Sequence, residues 1–144
     1  MKNIYLLIFY LVCSYSYSQI EGTEGEPRWQ LIGSNIDGSV LLKSKEENLF
    51  NFSFRNYQFS DKQVIKKIYF KSSDLDISNL YNFLFESFKL IQSDQSSFKI
   101  DNYVFQVLKN RNDLRIDIMS INSNEVVGWK LITIRDLNNL FGKY

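Results

Sequence analysis

The chain has 144 residues, with 17 lysines and arginines against 16 aspartates and glutamates, which gives a net charge of +1. Histidine is absent, and the single cysteine is Cys13. Because histidine is the usual general base near neutral pH and the commonest ligand for transition metals, this composition excludes Ser-His-Asp triads, Cys-His pairs and ordinary zinc sites. We therefore expect a protein that is not an enzyme and that needs no cofactor or metal.

Residues 1–18 have the pattern of a secretory signal peptide. Lys2 precedes an apolar run over residues 4–12, which is much shorter than the roughly 20 residues that a membrane-spanning helix requires. Ser16 and Ser18 provide the small residues of a cleavage site. We therefore predict cleavage near Ser18 and export to the periplasm or the medium of a bacterium, with no transmembrane segment in the mature chain.

Cys13 raises two alternatives, which are a lipid anchor and a reactive thiol. A bacterial lipoprotein signal has a small residue before the lipidated cysteine, whereas Val12 stands there in this chain. No neighbouring residue type offers a base that would activate a thiol. Cys13 is therefore predicted to leave with the signal peptide, and loss of Lys2 with the same segment leaves 16 basic and 16 acidic groups.

Residues 19–27 read QIEGTEGEP and contain three glutamates, two glycines and the only proline of the chain. One apolar side chain is too little to form a core, so this segment is predicted to be a flexible acidic leader. Residues 28–144 are long enough to bury a core as a single domain without a disulfide.

The first strands are expected directly after the leader. Residues 29–45 predict two strands around a turn at Asp37-Gly38, because this pair readily adopts the positive φ of a tight hairpin. Residues 63–71 predict another strand, in which apolar residues alternate with lysines.

The strand predicted over residues 48–59 has an interrupted pattern. Its first half alternates cleanly, and three aromatic residues share one face: Phe50, Phe52 and Phe54. After Arg55 the alternation slips, since Tyr57 and Phe59 stand where polar residues are expected. A bulge or a turn near Asn56 would explain the slip.

Residues 72–94 change to the period of a helix. Ser73 followed by Asp76 three residues later is typical of a capping box. Six apolar residues share a stripe about 100° wide, which we expect to lie on a sheet. These are Ile77, Leu80, Tyr81, Leu84, Phe88 and Ile91. Three further apolar residues lie outside the stripe: Phe83, Phe85 and Leu90.

The second half returns to strands. They are predicted over residues 97–109 with a reversal at Asp101-Asn102, over 113–121 and over 125–132. Thr133, Asp136 and Gly142 mark the start and the end of a short C-terminal helix. The predicted fold is an α+β domain, in which a meandering antiparallel sheet is covered on one face by one long helix.

Carboxylate pairs are the remaining candidates for catalysis. Asp74 and Asp76 stand at a predicted helix start, where acidic groups stabilise the helix dipole. Asp113 and Asp117 flank a strand beside arginines, as expected for surface ion pairs. A hydrolase that uses two such carboxylates is the least favoured hypothesis.

A basic stretch covers residues 55–71, where one acidic residue accompanies Arg55 and four lysines. Lysines interleaved with aromatic residues can clamp a nucleic acid. However, the balanced charge of the mature chain lacks the basic excess of nucleic-acid-binding proteins, so we expect ordinary amphipathic strands and no nucleic-acid partner.

The favoured hypothesis is a binding module that recognises an envelope or extracellular protein. The candidate contacts are Arg55, Tyr57 and Phe59, because aromatic residues and arginine are enriched at interface anchors. The competing interpretation is that Tyr57 and Phe59 pack beneath a loop. A second function hypothesis is a self-associating structural component of the envelope, with contacts through Phe83, Phe85 and Leu90.

Overall fold

The computed structural model describes residues 27–59 and 62–143. The predicted signal peptide over 1–18, with Cys13, and nearly all of the predicted leader over 19–27 lie outside the described residues. The strands are β1 Trp29–Ser34, β2 Val40–Ser44, β3 Leu49–Asn56, β4 Val64–Lys71, β5 Gln95–Ile100, β6 Tyr103–Asn110, β7 Asp113–Ser120 and β8 Glu125–Ile132, and the helices are α1 Asp74–Ser87 and α2 Ile134–Leu140.

The α+β class is as predicted, but the prediction of one sheet is wrong. The strands form two antiparallel meanders of four strands each, in the orders β1-β2-β3-β4 and β5-β6-β7-β8. Helix α1 separates the last strand of the first sheet from the first strand of the second. Since the alternation of apolar residues shows which face of a strand is buried but not which strand lies beside it, the pattern could not separate one sheet of eight strands from two of four.

Helix α1 begins as predicted and ends earlier than predicted. The Ser73 side chain accepts from the Asp76 N–H (3.1 Å), and the Asp76 carboxylate accepts from the Ser73 N–H (3.3 Å). After 14 residues the backbone changes to i→i−3 hydrogen bonds, and Ser93 has a φ of 76°. Ile91, which was assigned to the buried stripe, therefore lies beyond the helix and is 76% exposed.

The turns of the first sheet agree with the sequence in their positions. Gly38 has a φ of 84° in the β1–β2 turn, as the Asp-Gly pair predicts. β3 pairs with β4 in unbroken register as far as Asn56, and the chain then turns. The slip in the pattern therefore marks the end of the strand, and the predicted strand over 48–59 continues three residues past that end.

Both sheets and both helices contribute to one hydrophobic cluster. Phe52 of the first sheet stacks on Phe105 of the second, with 6.4 Å between the ring centroids. A cavity of about 20 Å³ lies within this cluster and is lined by apolar side chains alone. Such a cavity has no polar partner for a water molecule and is far smaller than the roughly 300 Å³ of a small-molecule site.

Candidate binding surface at the junction of the sheets

The two sheets meet where β3 extends beyond β2. Tyr57 donates its backbone N–H to the carbonyl of Trp129 on β8 (2.9 Å). The Trp129 N–H in turn donates to Oδ1 of Asn56 (3.1 Å), which also accepts from the N–H of Gln58 (3.1 Å). The edge of β8 is thus closed by the end of β3, and Asn56 is fully buried because it completes this connection.

Gly128 makes the close approach of Asn56 possible. A Cβ atom at position 128 would lie 2.8 Å from both Cγ and Oδ1 of the Asn56 side chain. These distances are shorter than van der Waals contact, so a larger residue at position 128 would displace the asparagine.

A buried ion pair fixes the β1–β2 turn to β8. Lys130 is 1% exposed, and its Nζ donates to Oδ2 of Asp37 (2.8 Å) and to Oγ of Ser39 (2.8 Å). Burial alone would raise the pKa of Asp37, but the hydrogen bond and the positive charge of Lys130 outweigh it, so the pKa is lowered. Asp37 is therefore ionised near neutral pH, and the ion pair is intact there.

Aromatic and arginine side chains form a ladder across this junction. The Arg55 guanidinium lies 5.2 Å from the centroid of the Tyr57 ring, and that ring stacks on Trp129 at 5.8 Å. On the other side of Trp129, the Arg115 guanidinium lies 4.5 Å from the indole centroid and donates from Nε to Asp117 Oδ1 (2.9 Å). We call the four side chains Arg55, Tyr57, Trp129 and Arg115 the ladder.

The ladder is half-buried and accessible. Tyr57 and Trp129 are of intermediate exposure, and the Arg115 side chain is 40% exposed. Burial is the main cause that raises the pKa of Tyr57, with a smaller contribution from the negative charge of Asp37. Phe59 follows in the β3–β4 turn and is 49% exposed.

The sequence named part of this surface. It singled out Arg55, Tyr57 and Phe59, which lie close together in the chain, but not Trp129 or Arg115. Trp129 and Arg115 were missed because alternation does not reveal that a neighbouring strand ends beside them. The signal that was available is the break in β3, where the aromatic Tyr57 stands on the otherwise polar face of the strand.

The residues proposed for self-association have partners within the chain. The Phe83 ring lies 5.4 Å from that of Phe98 on β5, and the Phe85 ring lies 5.9 Å from that of Tyr81. Both are partly buried against the core, and Leu90 is half-buried. The contacts of these two rings explain the apolar residues outside the stripe without a second molecule.

Three of the four carboxylates considered for catalysis are engaged in structural contacts. Asp74 pairs with Lys43 (2.6 Å), Asp117 pairs with Arg115, and Asp76 caps α1. Hydrogen bonds from Ser73 lower the pKa of Asp76, whereas a general acid near neutral pH requires a raised pKa. Within residues 27–59 and 62–143, no three Asp, Glu, His or Cys side chains are grouped in a way that could hold a metal ion.

Comparison with protein-family models, with curated proteins and with solved structures gave no match. In the part of the chain that the structure describes, neither helix is long and apolar enough to cross a membrane.

Proposed function

We propose that this protein is an exported, non-enzymatic binding module, and that the ladder together with Phe59 is its contact surface for a protein of the bacterial envelope or exterior. The observation that carries the proposal is the ladder itself, in which two stacked aromatic rings are flanked by two guanidinium groups on the surface of adjoining strands. Export is supported by the signal-peptide pattern of residues 1–18.

Pre-organisation is the physical reason to favour this surface. Tyrosine, tryptophan and arginine dominate the energetics of protein interfaces because they offer a large contact area and directed hydrogen bonds. Here the backbone hydrogen bond between Tyr57 and Trp129 joins the two segments, and the ladder side chains already contact one another before a partner binds. Little side-chain entropy then remains to be lost when a partner binds.

The remaining features of the chain also favour a surface over a pocket. The apolar cavity in the core is too small for a small-molecule ligand. The pKa values of Asp37 and Asp76 are both lowered, which favours the ionised carboxylate. These observations support binding by contact and give no support to acid–base catalysis.

The test is affinity capture from native envelope and secreted fractions, with the full chain and its variants as immobilised baits. Tyr57→Ser and Arg55→Ala should each reduce the capture of a stoichiometric partner by at least about tenfold, since anchors of this kind contribute roughly 2 kcal/mol or more. The matched controls are Ile91→Ser, at an exposed position beyond α1, and Arg135→Ala, at an exposed position on α2.

Both ladder variants must first be shown to unfold at a urea concentration close to that of the wild type. Equal capture by all five baits, or loss of capture with the control variants alone, would contradict the proposal. Failure of Tyr57→Ser to fold would show that Tyr57 is a core residue, as the competing interpretation of the sequence requires; Arg55→Ala then remains as the test of the surface.

A further inference from the structure

β4 is an edge strand whose outer side is open. The order of the first sheet leaves β1 and β4 without a second neighbour. β1 packs against the C-terminal end of α2, because a Cβ on Gly33 would lie 2.0 Å from the carbonyl oxygen of Asn139. Along β4 the paired neighbour is β3 alone.

The register of β4 shows which backbone groups face outward. The Ser72 N–H donates to the carbonyl of Asn48 (2.8 Å), so even-numbered residues of this strand direct their N–H groups toward β3. The Lys71 N–H points the other way and donates to Oδ2 of Asp101 (2.9 Å). By this alternation, the N–H groups that face away from β3 belong to Ile65, Lys67 and Tyr69.

The same edge is strongly basic. Four lysines lie on β4 or beside it, and within the described residues none of them forms an ion pair with a carboxylate. They are Lys62, Lys66, Lys67 and Lys71. The contact of Asp101 with the Lys71 N–H shows within this chain how a carboxylate is accommodated at one end of the edge.

We infer that an acidic, extended segment of the partner adds to the outer edge of β4 as a fifth strand of the first sheet. This inference rests on the proposed function, because Ile65 of β4 lies directly opposite Arg55 of the ladder. A strand bound at this edge would lie on the far side of β4 from Arg55, so the same partner would have to extend across the exposed face of β4 to reach the ladder as well.

Charge decides between an acidic strand and a second copy of the same strand. Two β4 edges paired with each other would place lysines against lysines, which destabilises a cross-strand pair, and edge lysines are a common protection against self-pairing. Glutamates or aspartates in the added strand convert these repulsions into attractions. Exposed Ile65 and Tyr69 offer apolar contacts for alternate side chains of the same segment.

The test uses the full chain and a synthetic eight-residue peptide that alternates glutamate with valine. Amide hydrogen exchange, followed residue by residue by NMR, should show slower exchange at Ile65, Lys67 and Tyr69 when the peptide is present. Lys66, Ile68 and Phe70 serve as internal controls, since β3 already protects their N–H groups. Unchanged exchange at the three outward amides, or protection that appears at Ser97 on the edge strand β5 instead, would overturn the inference.

Two modified peptides separate backbone pairing from charge. A peptide with every backbone nitrogen methylated cannot form the backbone hydrogen bonds of an added strand. A peptide with lysine in place of glutamate reverses the charge. Neither should protect β4. A DNA oligonucleotide that protects the three outward amides as well as the acidic peptide does would show a general attraction for polyanions and would contradict strand addition.

Charge reversal on the protein completes the test. The change Lys67→Glu should weaken peptide binding by about fivefold, since an attraction becomes a repulsion. Lys67→Glu is matched by Lys99→Glu, which makes the same change of charge on β5 and should leave binding within about twofold. Loss of binding with the β5 variant alone would contradict the assignment of the edge.

The inference and the proposed function fail separately. If Tyr57→Ser abolishes capture of the partner but Lys67→Glu does not weaken it, the ladder is a contact surface and strand addition is wrong. If the peptide adds to β4 but the ladder variants capture the partner normally, the edge binds strands and the proposed contact surface is wrong.

Discussion

The outer edges of the first and second sheets are finished in different ways. β8 is closed by the end of β3, with the Lys130–Asp37 ion pair alongside, and β1 packs against the backbone of α2. β4 has no such cover and instead carries exposed lysines. At a closed edge, the residues fit one particular neighbour. At the open edge of β4, the lysines repel a second copy of the same strand, and the outward backbone groups stay accessible.

This difference separates residues that stabilise the fold from residues available for binding. Substitutions at the closed edges should lower the free energy of unfolding, and substitutions along β4 and the ladder should mainly change binding. The following predictions test that separation, from the largest expected effect to the smallest.

Gly33→Ala should have the largest effect on stability. Its Cβ would lie 2.0 Å from the Asn139 carbonyl oxygen and 2.5 Å from that of Leu140, and both are backbone atoms that cannot rotate away. We expect a loss of about 3 kcal/mol or more in the free energy of unfolding, because α2 must move away from β1. Urea denaturation measures this loss, with Ser34→Ala on the same strand as the control. A loss below about 1 kcal/mol would show that α2 does not pack closely against β1.

Lys130→Met should lower the free energy of unfolding by nearly as much. Methionine keeps the apolar stem but leaves Asp37 without its counter-charge and Ser39 Oγ with only the longer hydrogen bond from the Arg55 N–H (3.4 Å). Breaking one side of a buried ion pair costs about 3 kcal/mol. Lys99→Met, at an exposed position, should change the stability by less than about 0.5 kcal/mol. Equal stabilities of the two variants would contradict the role of the ion pair in holding the β1–β2 turn.

Gly128→Ala should cost about 1–2 kcal/mol, because a side chain and not a backbone has to move. The displaced side chain is Asn56, whose Oδ1 holds the N–H groups of Trp129 and Gln58. In a double-mutant cycle with Asn56→Ala, the combined loss should be smaller than the sum of the single losses, since both changes break the same contact. Additive losses would place the clash elsewhere.

The smallest expected effect is the change with pH in the stability that the Lys130–Asp37 ion pair contributes. The pKa of Asp37 in the folded protein lies below its ordinary value of 3.8, so the ionised carboxylate stabilises the fold. This contribution is complete above the unfolded-state pKa and is lost as the pH falls through the folded-state pKa. The difference in stability between the wild type and Asp37→Asn should be constant above about pH 5 and shrink in more acidic solution. Asp76 is present in both proteins, so its effect on the pH dependence cancels in this difference. A difference that grows as the pH falls would contradict the assignment.

Local structure was largely predictable from this sequence. The Asp37-Gly38 turn, the capping boxes at Ser73 and Thr133, and the C-terminal helix are all set by residues within a few positions of one another. The pairing of strands was not predictable, because it depends on contacts between residues distant in the chain. The early end of α1 was missed for a related reason: Ile91 fits the helical stripe by spacing, while the serines and the aspartate that follow it favour a turn.

Half of the candidate surface was predictable, because two of its residues lie close together in the chain. Arg55 and Tyr57 belong to one strand, and the break in alternation after Arg55 shows that this strand changes its surroundings. Trp129 and Arg115 come from the other sheet, and the contact of Trp129 with Tyr57 exists only because β8 continues where β2 stops. A sequence pattern records the faces of each strand but not the point at which one neighbour replaces another.

The most direct test of the binding surface is site-specific photo-crosslinking in the producing cells. Phe59 is replaced by p-benzoylphenylalanine, which keeps an aromatic ring at this exposed position next to the ladder, and the same residue at Ile91 serves as the matched control. We predict that irradiation links position 59, and not position 91, to a single other protein of the envelope or the medium. Crosslinks from position 59 that join two copies of this chain, or equal crosslinking from both positions, would contradict the account.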